Sequence, residues 1–162
     1  MAKVKQAPAS KNGFTLVADN RKARHDFFIE EAIEAGLALV GTEVKSLREG
    51  RINLRDSYAR VKNGEIFLHG VHIGAYAPAG QFSHLETRPR KLLMHRREIE
   101  RLWGRVREKG YSLVPLKIYF KDGRAKAEIG LAKGKKLYDK REAIARKTTR
   151  RELERVLKSS HR

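Results

Sequence analysis

The dipeptide Asp122-Gly123 constrains this chain more than any other feature. It separates two segments, 114–121 and 124–131, in which apolar and polar residues alternate. Asp-Gly suits the two-residue type I′ turn, whose positive φ values match the twist of paired strands. A turn there pairs Phe120 with Ala125, Ile118 with Ala127, Leu116 with Ile129 and Val114 with Leu131, all apolar. The opposite face pairs Tyr119 with Lys126 and Lys117 with Glu128. A slip of one residue would invert both faces, so the register is strongly specified. Asn63-Gly64 sets a second hairpin of the same kind. It pairs Val61 with Ile66 and Ala59 with Leu68 on one face. Arg60–Phe67 and Tyr58–His69 fall on the other, with Lys62 opposite Glu65. Two hairpins with one apolar face each imply an antiparallel sheet covered on one side.

The remaining elements are short. Phe14 to Ala18 reads as an edge strand, and NRKARHD (20–26) as a polar basic loop. DFFIEEAIEAGLALV (26–40) has helical spacing at Phe28, Ala32 and Ala35, but Gly36 interrupts it and LALV is strand-like. A helix and two strands bent at Ala35-Gly36 both remain open, the strands slightly favoured. Thr42 to Glu49 reads as a helix with Thr42 as N-cap, Glu43 in the first turn and Gly50 closing the end. It turns Val44 and Leu47 to the core and exposes Lys45 and Arg48. Residues 75–90 read as a loop. Arg96 to Lys109 is a helix with Ile99, Leu102, Trp103 and Val106 at i, i+3, i+4 and i+7 and Gly110 at its end. The sum is a mainly β protein, six or seven antiparallel strands with two or three short helices, and a small closed barrel removes its sheet edges.

The charge points to the partner. The net charge is +18 and the pI near 10.5. Residues 1–24 carry six Lys and Arg against one acid, and residues 133–162 carry twelve against four. Such a footprint is that of a nucleic-acid binder. No segment pairs a basic face with Trp, Phe and Leu, so a membrane surface is not the expected partner. No apolar run is long enough to cross a bilayer, and MAKVKQAPASKNG has no apolar stretch behind it to act as a signal peptide. The chain has no cysteine, which excludes disulfides and thiolate catalysis and fits the cytoplasm.

Enzyme chemistry finds little support. The six histidines are not joined by a metal-ligand spacing, and a ribonuclease would need two of His25, His69 and His95 in one pocket. GLAKGK lacks the spacing of a phosphate loop. No catalytic residue, metal or cofactor is therefore expected. Phe27, Tyr58, Phe67 and Tyr119 lie on outward strand positions beside lysines, a pattern shared by base-stacking platforms and by ordinary cross-strand packing. Three parts follow: a disordered 1–13, a folded 14–132 and a basic 133–162. In the last, Lys140, Lys147, Arg151 and Lys158 form one helical stripe over a thin apolar face, so the segment is expected to be unfolded alone and helical on a polyanion.

NRKARHDFFIEEAIEAGLALVGTEVKSLREG, INLRDSYARVKNGEIFLHGVHIGAY, TRPRKLLMHRREI and VPLKIYF with IGLAKGKKLYDKRE together resemble SmpB, the SsrA-binding family of bacteria. The resemblance runs from Asn20 to Glu142. It implies an oligonucleotide-binding-type (OB-fold-like) β-barrel with attached helices, an extended 26–40, and no enzymatic activity. It implies binding of the tRNA-like end of tmRNA and its delivery to stalled ribosomes for trans-translation, with the tail in the vacant mRNA channel by the small-subunit decoding centre. Asn20, Arg21, Lys22, Arg24 and His25 match the family's basic loop. Glu34, Leu93 and Lys126 match its tmRNA-binding positions on the barrel. Lys45, Arg48 and Lys133 join the expected RNA contacts. Lys133, Gly134, Lys135 and Lys136 match the hinge, and Tyr138, Asp139, Lys140 and Arg141 the start of the ribosome-binding tail, which Lys147 and Arg151 extend. A monomer is expected. The alternative from another class is a structural ribosome-associated or tRNA-chaperone protein that acts without tmRNA.

Overall fold

A computed structural model describes residues 13–108 and 110–160. The first twelve residues, Lys109 and the last two lie outside it, and with them most of the segment expected to be disordered. The elements in order are β1 (Phe14–Asp19), α1 (Arg21–Asp26), β2 (Phe27–Leu37), α2 (Gly41–Arg48), β3 (Ile52–Asn53), β4 (Tyr58–Lys62), β5 (Glu65–His69), β6 (His72–Ile73), a 3₁₀ segment (Ala77–Phe82), β7 (Arg90–Leu93), α3 (Arg96–Arg107), β8 (Tyr111–Lys121), β9 (Arg124–Gly134) and α4 (Leu137–Ser160). The chain is mainly β with several short helices. Seven strands form one antiparallel sheet in the order β1-β8-β4-β5-β7-β2-β9, and β9 pairs again with β8. β3 and β6 make a separate two-stranded ribbon.

Both hairpin turns form as their residues dictate. Asn63 and Gly64 have φ of 52° and 74°, Asp122 and Gly123 of 50° and 75°, the signature of type I′. The β4–β5 register is the expected one throughout, from Val61 opposite Ile66 to Tyr58 opposite His69. In β8–β9 the expected pairs hold from Phe120–Ala125 to Lys117–Glu128. Beyond Lys117 they do not: Pro115 faces Ile129 and Leu113 faces Leu131. Leu116 is an extra residue, a bulge next to a proline that has no N–H for the ladder. The bulge turns Val114 and Leu116 to the outer face, while Leu113, Ile118 and Phe120 face the interior.

Other expectations are revised in the same way. Segment 26–40 is extended, as β2, with its own bulge between Ile29 and Glu31. NRKARHD is a one-and-a-half-turn helix, not a loop. Thr42 is not the N-cap of α2. Val40 holds that place, and its N–H donates to Glu43 Oε2 at 3.0 Å. Trp103 is not a core residue: it is 44% exposed, whereas Ile99 and Leu102 of α3 are buried.

Two apolar cores result. The larger lies inside the sheet, where Ile33, Ala35, Leu47, Ile66, Leu68, Leu92, Leu102, Ile118 and Ile129 meet. The smaller lies on the outer side of β8 and β9, where Val114, Leu116 and Ala132 meet Ala23 of α1, flanked by Phe27 and Ile29. Gly130 makes room for it, since a Cβ there would lie 3.0 Å from Leu116 Cδ1. A buried ionic cluster closes the other side. Glu43 and Arg90 are fully buried, and Arg90 Nε donates to Glu43 Oε1 at 2.8 Å. Arg88 binds the same carboxylate through Nε at 2.8 Å and Nη2 at 2.5 Å. Nothing in the periodicity of the chain announces that cluster.

Candidate nucleic-acid interface

Helix α1 is placed by its own cap. Asn20 is buried, and its Oδ1 accepts the N–H of Ala23 at 3.1 Å. Its Nδ2 donates to the carbonyls of Pro115 (3.0 Å) and Leu54 (3.3 Å), and its main-chain N–H to that of Leu116 at 2.7 Å. The residue therefore ties α1 to the β8 bulge, and both donors of its amide are already taken. Only Ala23 of the helix is buried, so Arg21, Lys22, Arg24 and His25 project from the sheet. Asn20→Ala is expected to cost about 1–3 kcal/mol, because it orphans buried carbonyls and removes the cap. Thermal melts check this.

The projecting cations are held loosely. Lys22 Nζ lies 2.6 Å from Asp56, both half or more exposed, and Arg21 lies 3.9 Å from Asp19. Arg24 Nη2 stands 3.9 Å from Glu128, which also faces Lys117 at 3.8 Å. Such surface pairs are weak and give way to phosphates at little cost.

The outer faces of β2, β9 and β7 carry the second group. Gly36 stands between Leu93 on β7 and Lys126 on β9. A Cβ at Gly36 would lie 3.1 Å from Leu93 Cβ, so glycine lets Leu93 lie across the strand, 54% exposed. Glu34 accepts the Tyr119 hydroxyl at 2.5 Å and Lys121 Nζ at 3.2 Å, and Lys126 Nζ stands 3.9 Å away. The Tyr119 hydrogen bond, aided by the lysines, holds the Glu34 carboxyl below its ordinary value. Burial first, then the same bond, pushes the Tyr119 hydroxyl up. Glu34 thus orients cations. An open groove of about 910 Å³ runs past Glu34, Gly36, Leu93 and Lys126 toward α3.

The sheet joins the two groups. Glu34 lies directly opposite Glu128 on β9, and Glu128 reaches Arg24 on α1. A strip from Lys121 and Lys126 through Lys117 to Arg24 therefore covers one face, with two carboxylates as spacers. Lys117, Lys121 and Glu128 were not among the expected site residues. The hairpin register, which sets Lys117 beside Glu128 and Tyr119 beside Lys126, was the signal that could have found them.

The chain leaves this face at its end. Lys133 Nζ lies 5.7 Å from the Tyr111 ring centre and Lys135 Nζ 5.0 Å from that of Phe28. Lys135 also donates through Nζ to the carbonyl of Arg24 (3.3 Å) and through N–H to that of Asp26 (3.0 Å). Past Gly134, Asp139 Oδ2 accepts the Lys136 N–H at 3.2 Å and so caps α4. Lys140 Nζ stands 3.5 Å from Asp26, whose carboxyl the His25 hydrogen bond, with Lys140, holds below its ordinary value. Arg141, Lys147 and Arg151 are exposed and form no ion pair among the described residues. The expected role of the Tyr138 side chain lies outside the described residues.

Among the described residues, Lys45 and Arg48 form no ion pair with this face. Lys45 Nζ lies 5.2 Å from the Tyr76 ring centre and the Arg48 guanidinium 5.8 Å from that of Phe120. Among the described residues, His25 meets Asp26, His69 stacks on Tyr58, and His72 meets Glu86. Among the described residues no cluster of three or more His, Cys, Asp and Glu could hold a metal ion, and no helix is long and apolar enough to cross a membrane.

Comparison with known proteins converges on one family. Residues 17–159 match the family described as SmpB protein. The SsrA-binding protein of Moorella thermoacetica is 61% identical, over 88% of this chain and 93% of its own length. That of Pelobacter propionicus is 59% identical, over 93% of this chain and 99% of its own. A solved structure described as "tmRNA-SmpB: a journey to the center of the bacterial ribosome" superimposes with a TM-score of 0.65 at 48% identity, over 78% of this chain and 93% of that one. With a family match across most of its length and relatives near 60% identity, this chain belongs to the SmpB family.

Proposed function

We propose that this protein binds tmRNA and delivers it to stalled ribosomes, acting by binding alone, in the cytoplasm and without a cofactor. The body is an OB-like closed barrel, a reading supported by strand pairings that start at β8 and return to it through β4, β5, β7, β2 and β9. The tRNA-like end of tmRNA lies on α1 and on the outer faces of β2, β7 and β9. Asn20 serves that contact as a positioning residue. The basic tail from Lys133 onward engages the small-subunit decoding centre and the vacant mRNA channel, where α4 completes its order.

One observation carries the reading: the cations of α1 and those around Glu34, distant in sequence, form one continuous strip. A strip of that kind fits the backbone of a folded RNA better than an isolated patch. The names of the relatives, SsrA-binding proteins, agree with it. Pulldown on the purified protein followed by RNA sizing is expected to yield one tmRNA-sized band; a spread of ribosomal fragments without it would favour the ribosome-associated alternative. Arg21→Ala/Lys22→Ala/Arg24→Ala is expected to lower tmRNA affinity at least about tenfold in a gel shift with the melting temperature nearly unchanged, because exposed charges contribute little to stability. A matching collapse in melting temperature would assign those residues to the fold instead.

A further inference from the structure

Two of the four outward aromatics are taken up by the fold. Phe27 packs under α1, and Tyr119 is buried against Glu34. Tyr58 and Phe67 are not absorbed in this way. Both lie on the outer face of β4 and β5. Tyr58 is 47% exposed and stacks on His69, with ring centres 5.3 Å apart and planes 12° apart. One strand position pair further, Phe67 lies between Arg60 of β4 and Lys91 of β7. The two aromatic rows are two residues apart along each strand, about 6.8 Å. That is comparable to one nucleotide step of an extended strand. Arg60 and Lys62 are exposed and form no ion pair among the described residues, while Lys91 pairs with Glu65. The face is therefore aromatic and cationic together. It also continues into the strip described above, because Leu93, two residues after Lys91 on the same strand, adjoins Gly36 and, beyond it, Lys126.

We propose that the outer face of β4, β5 and β7 is a stacking platform for unpaired RNA nucleotides, with Tyr58 and Phe67 as the rings and Arg60, Lys62 and Lys91 as backbone contacts. Its occupant is a single-stranded segment of the same RNA whose folded part lies on α1 and β9; this rests on the RNA-binding reading above. Rings in a strand row accept bases of any sequence, since every base has a π-face, and the flanking cations follow the phosphates. A duplex keeps its bases stacked on one another and offers none to the rings. The platform therefore selects strandedness and not sequence, whereas the α1 strip selects a folded backbone.

The test uses the full chain and two probes, a fluorescent short oligouridylate and an RNA duplex of equal length. The wild-type protein is expected to bind the oligouridylate more tightly than α1 cations alone would allow, so the Arg21/Lys22/Arg24 alanine variant keeps most of that binding while it loses tmRNA. Tyr58→Ala/Phe67→Ala is expected to lower oligouridylate affinity at least about tenfold and to leave duplex affinity within about twofold. Phe67 is partly buried, so Tyr58→Ala alone is measured beside Tyr58→Phe. The first is expected to lose several-fold, and the second to stay near wild type because the ring remains. Arg60→Ala/Lys62→Ala is expected to flatten the salt dependence by roughly 1–1.5 in log–log slope. Unchanged oligouridylate binding in Tyr58→Ala would overturn the platform. So would its complete loss in the α1 variant, or an α1 variant that binds duplex as well as single strand. Because the oligouridylate assay contains no tmRNA, failure here is separate from failure of the tmRNA reading.

Discussion

Glu43→Gln is expected to lower stability by about 3–5 kcal/mol, because it leaves buried arginine charge without its counter-ion. For a chain of this size that is a fall in melting temperature of about 6–20 °C. Glu43 and Arg90 have no access to solvent, and Arg88 closes the cluster from the side. The geometry explains why the cost is large. Arg90 gives Nε to Glu43 and its terminal nitrogens to the carbonyls of Val71, Arg88 and Glu86, at 2.7, 3.0 and 2.8 Å. One carboxylate thus holds the guanidinium that holds the connection between β6 and β7. The paired replacement Glu43→Leu/Arg90→Met is expected to recover only part of the loss. It removes the Arg90 charge but leaves Arg88 without its carboxylate and three carbonyls without donors. The pH dependence follows. Burial alone would raise the Glu43 carboxyl, but hydrogen bonds from Arg88, from the Val40 N–H and from Arg90 outweigh it and hold the group below its ordinary 4.5. A carboxyl depressed on folding stabilises fully above its unfolded value and loses that contribution as pH falls through its folded one. The cluster should therefore support the fold down to about pH 4.5 and release it in stronger acid. Acid titration of Glu43→Gln is expected to show a shallower limb below that pH, and an unchanged limb would remove Glu43 as its source.

Asp139→Ala/Lys140→Ala/Arg141→Ala is expected to abolish tagging on ribosomes stalled on a message without a stop codon, while tmRNA affinity stays within about threefold. The three residues act at one point. Asp139 caps α4 by accepting the Lys136 N–H, Lys140 faces Asp26, and Arg141 is free to meet a phosphate. Removal of a cap costs a helix about 1 kcal/mol, which matters for a segment with only a thin apolar face. None of the three is on the strip from Lys126 to Arg24, so binding and accommodation separate. In vitro tagging with a parallel gel shift checks it. Normal tagging, or a loss of tmRNA binding large enough to account for the defect, would sink the separation.

The turns, the β4–β5 register and the β8–β9 register as far as Lys117 were legible because Asn-Gly and Asp-Gly fix a conformation and the apolar alternation fixes a side. α1 was not legible. Six residues with one buried alanine carry no periodicity, and the helix exists because Asn20 reaches Pro115, 95 positions away. Trp103 was misplaced for the opposite reason: its spacing is helical, but the interior is filled by Ile99 and Leu102 one face over. The Glu43–Arg90 cluster was invisible because a charge pattern does not tell a buried pair from two solvated residues. For the candidate interface, the cations of α1 were named by resemblance, and the structure sets them on one short helix. Their continuity with Lys126 was not, since it depends on Glu34 and Glu128 meeting across β2 and β9.

β8 changes parity at a single residue. Before Leu116 an odd position, Leu113, points inward; after it the even positions Ile118 and Phe120 do. Leu116 and Lys117 are therefore consecutive outward residues, and the ladder on either side closes without the first of them. The strand needs Leu116 for nothing inside the sheet. It needs it to fill the hollow over Gly130 and to give Asn20 a carbonyl to hold. One inserted residue thus mounts a basic arm on a finished frame. The frame and the arm can vary separately, and the loss of that one residue would leave a protein that folds and has nowhere to seat α1.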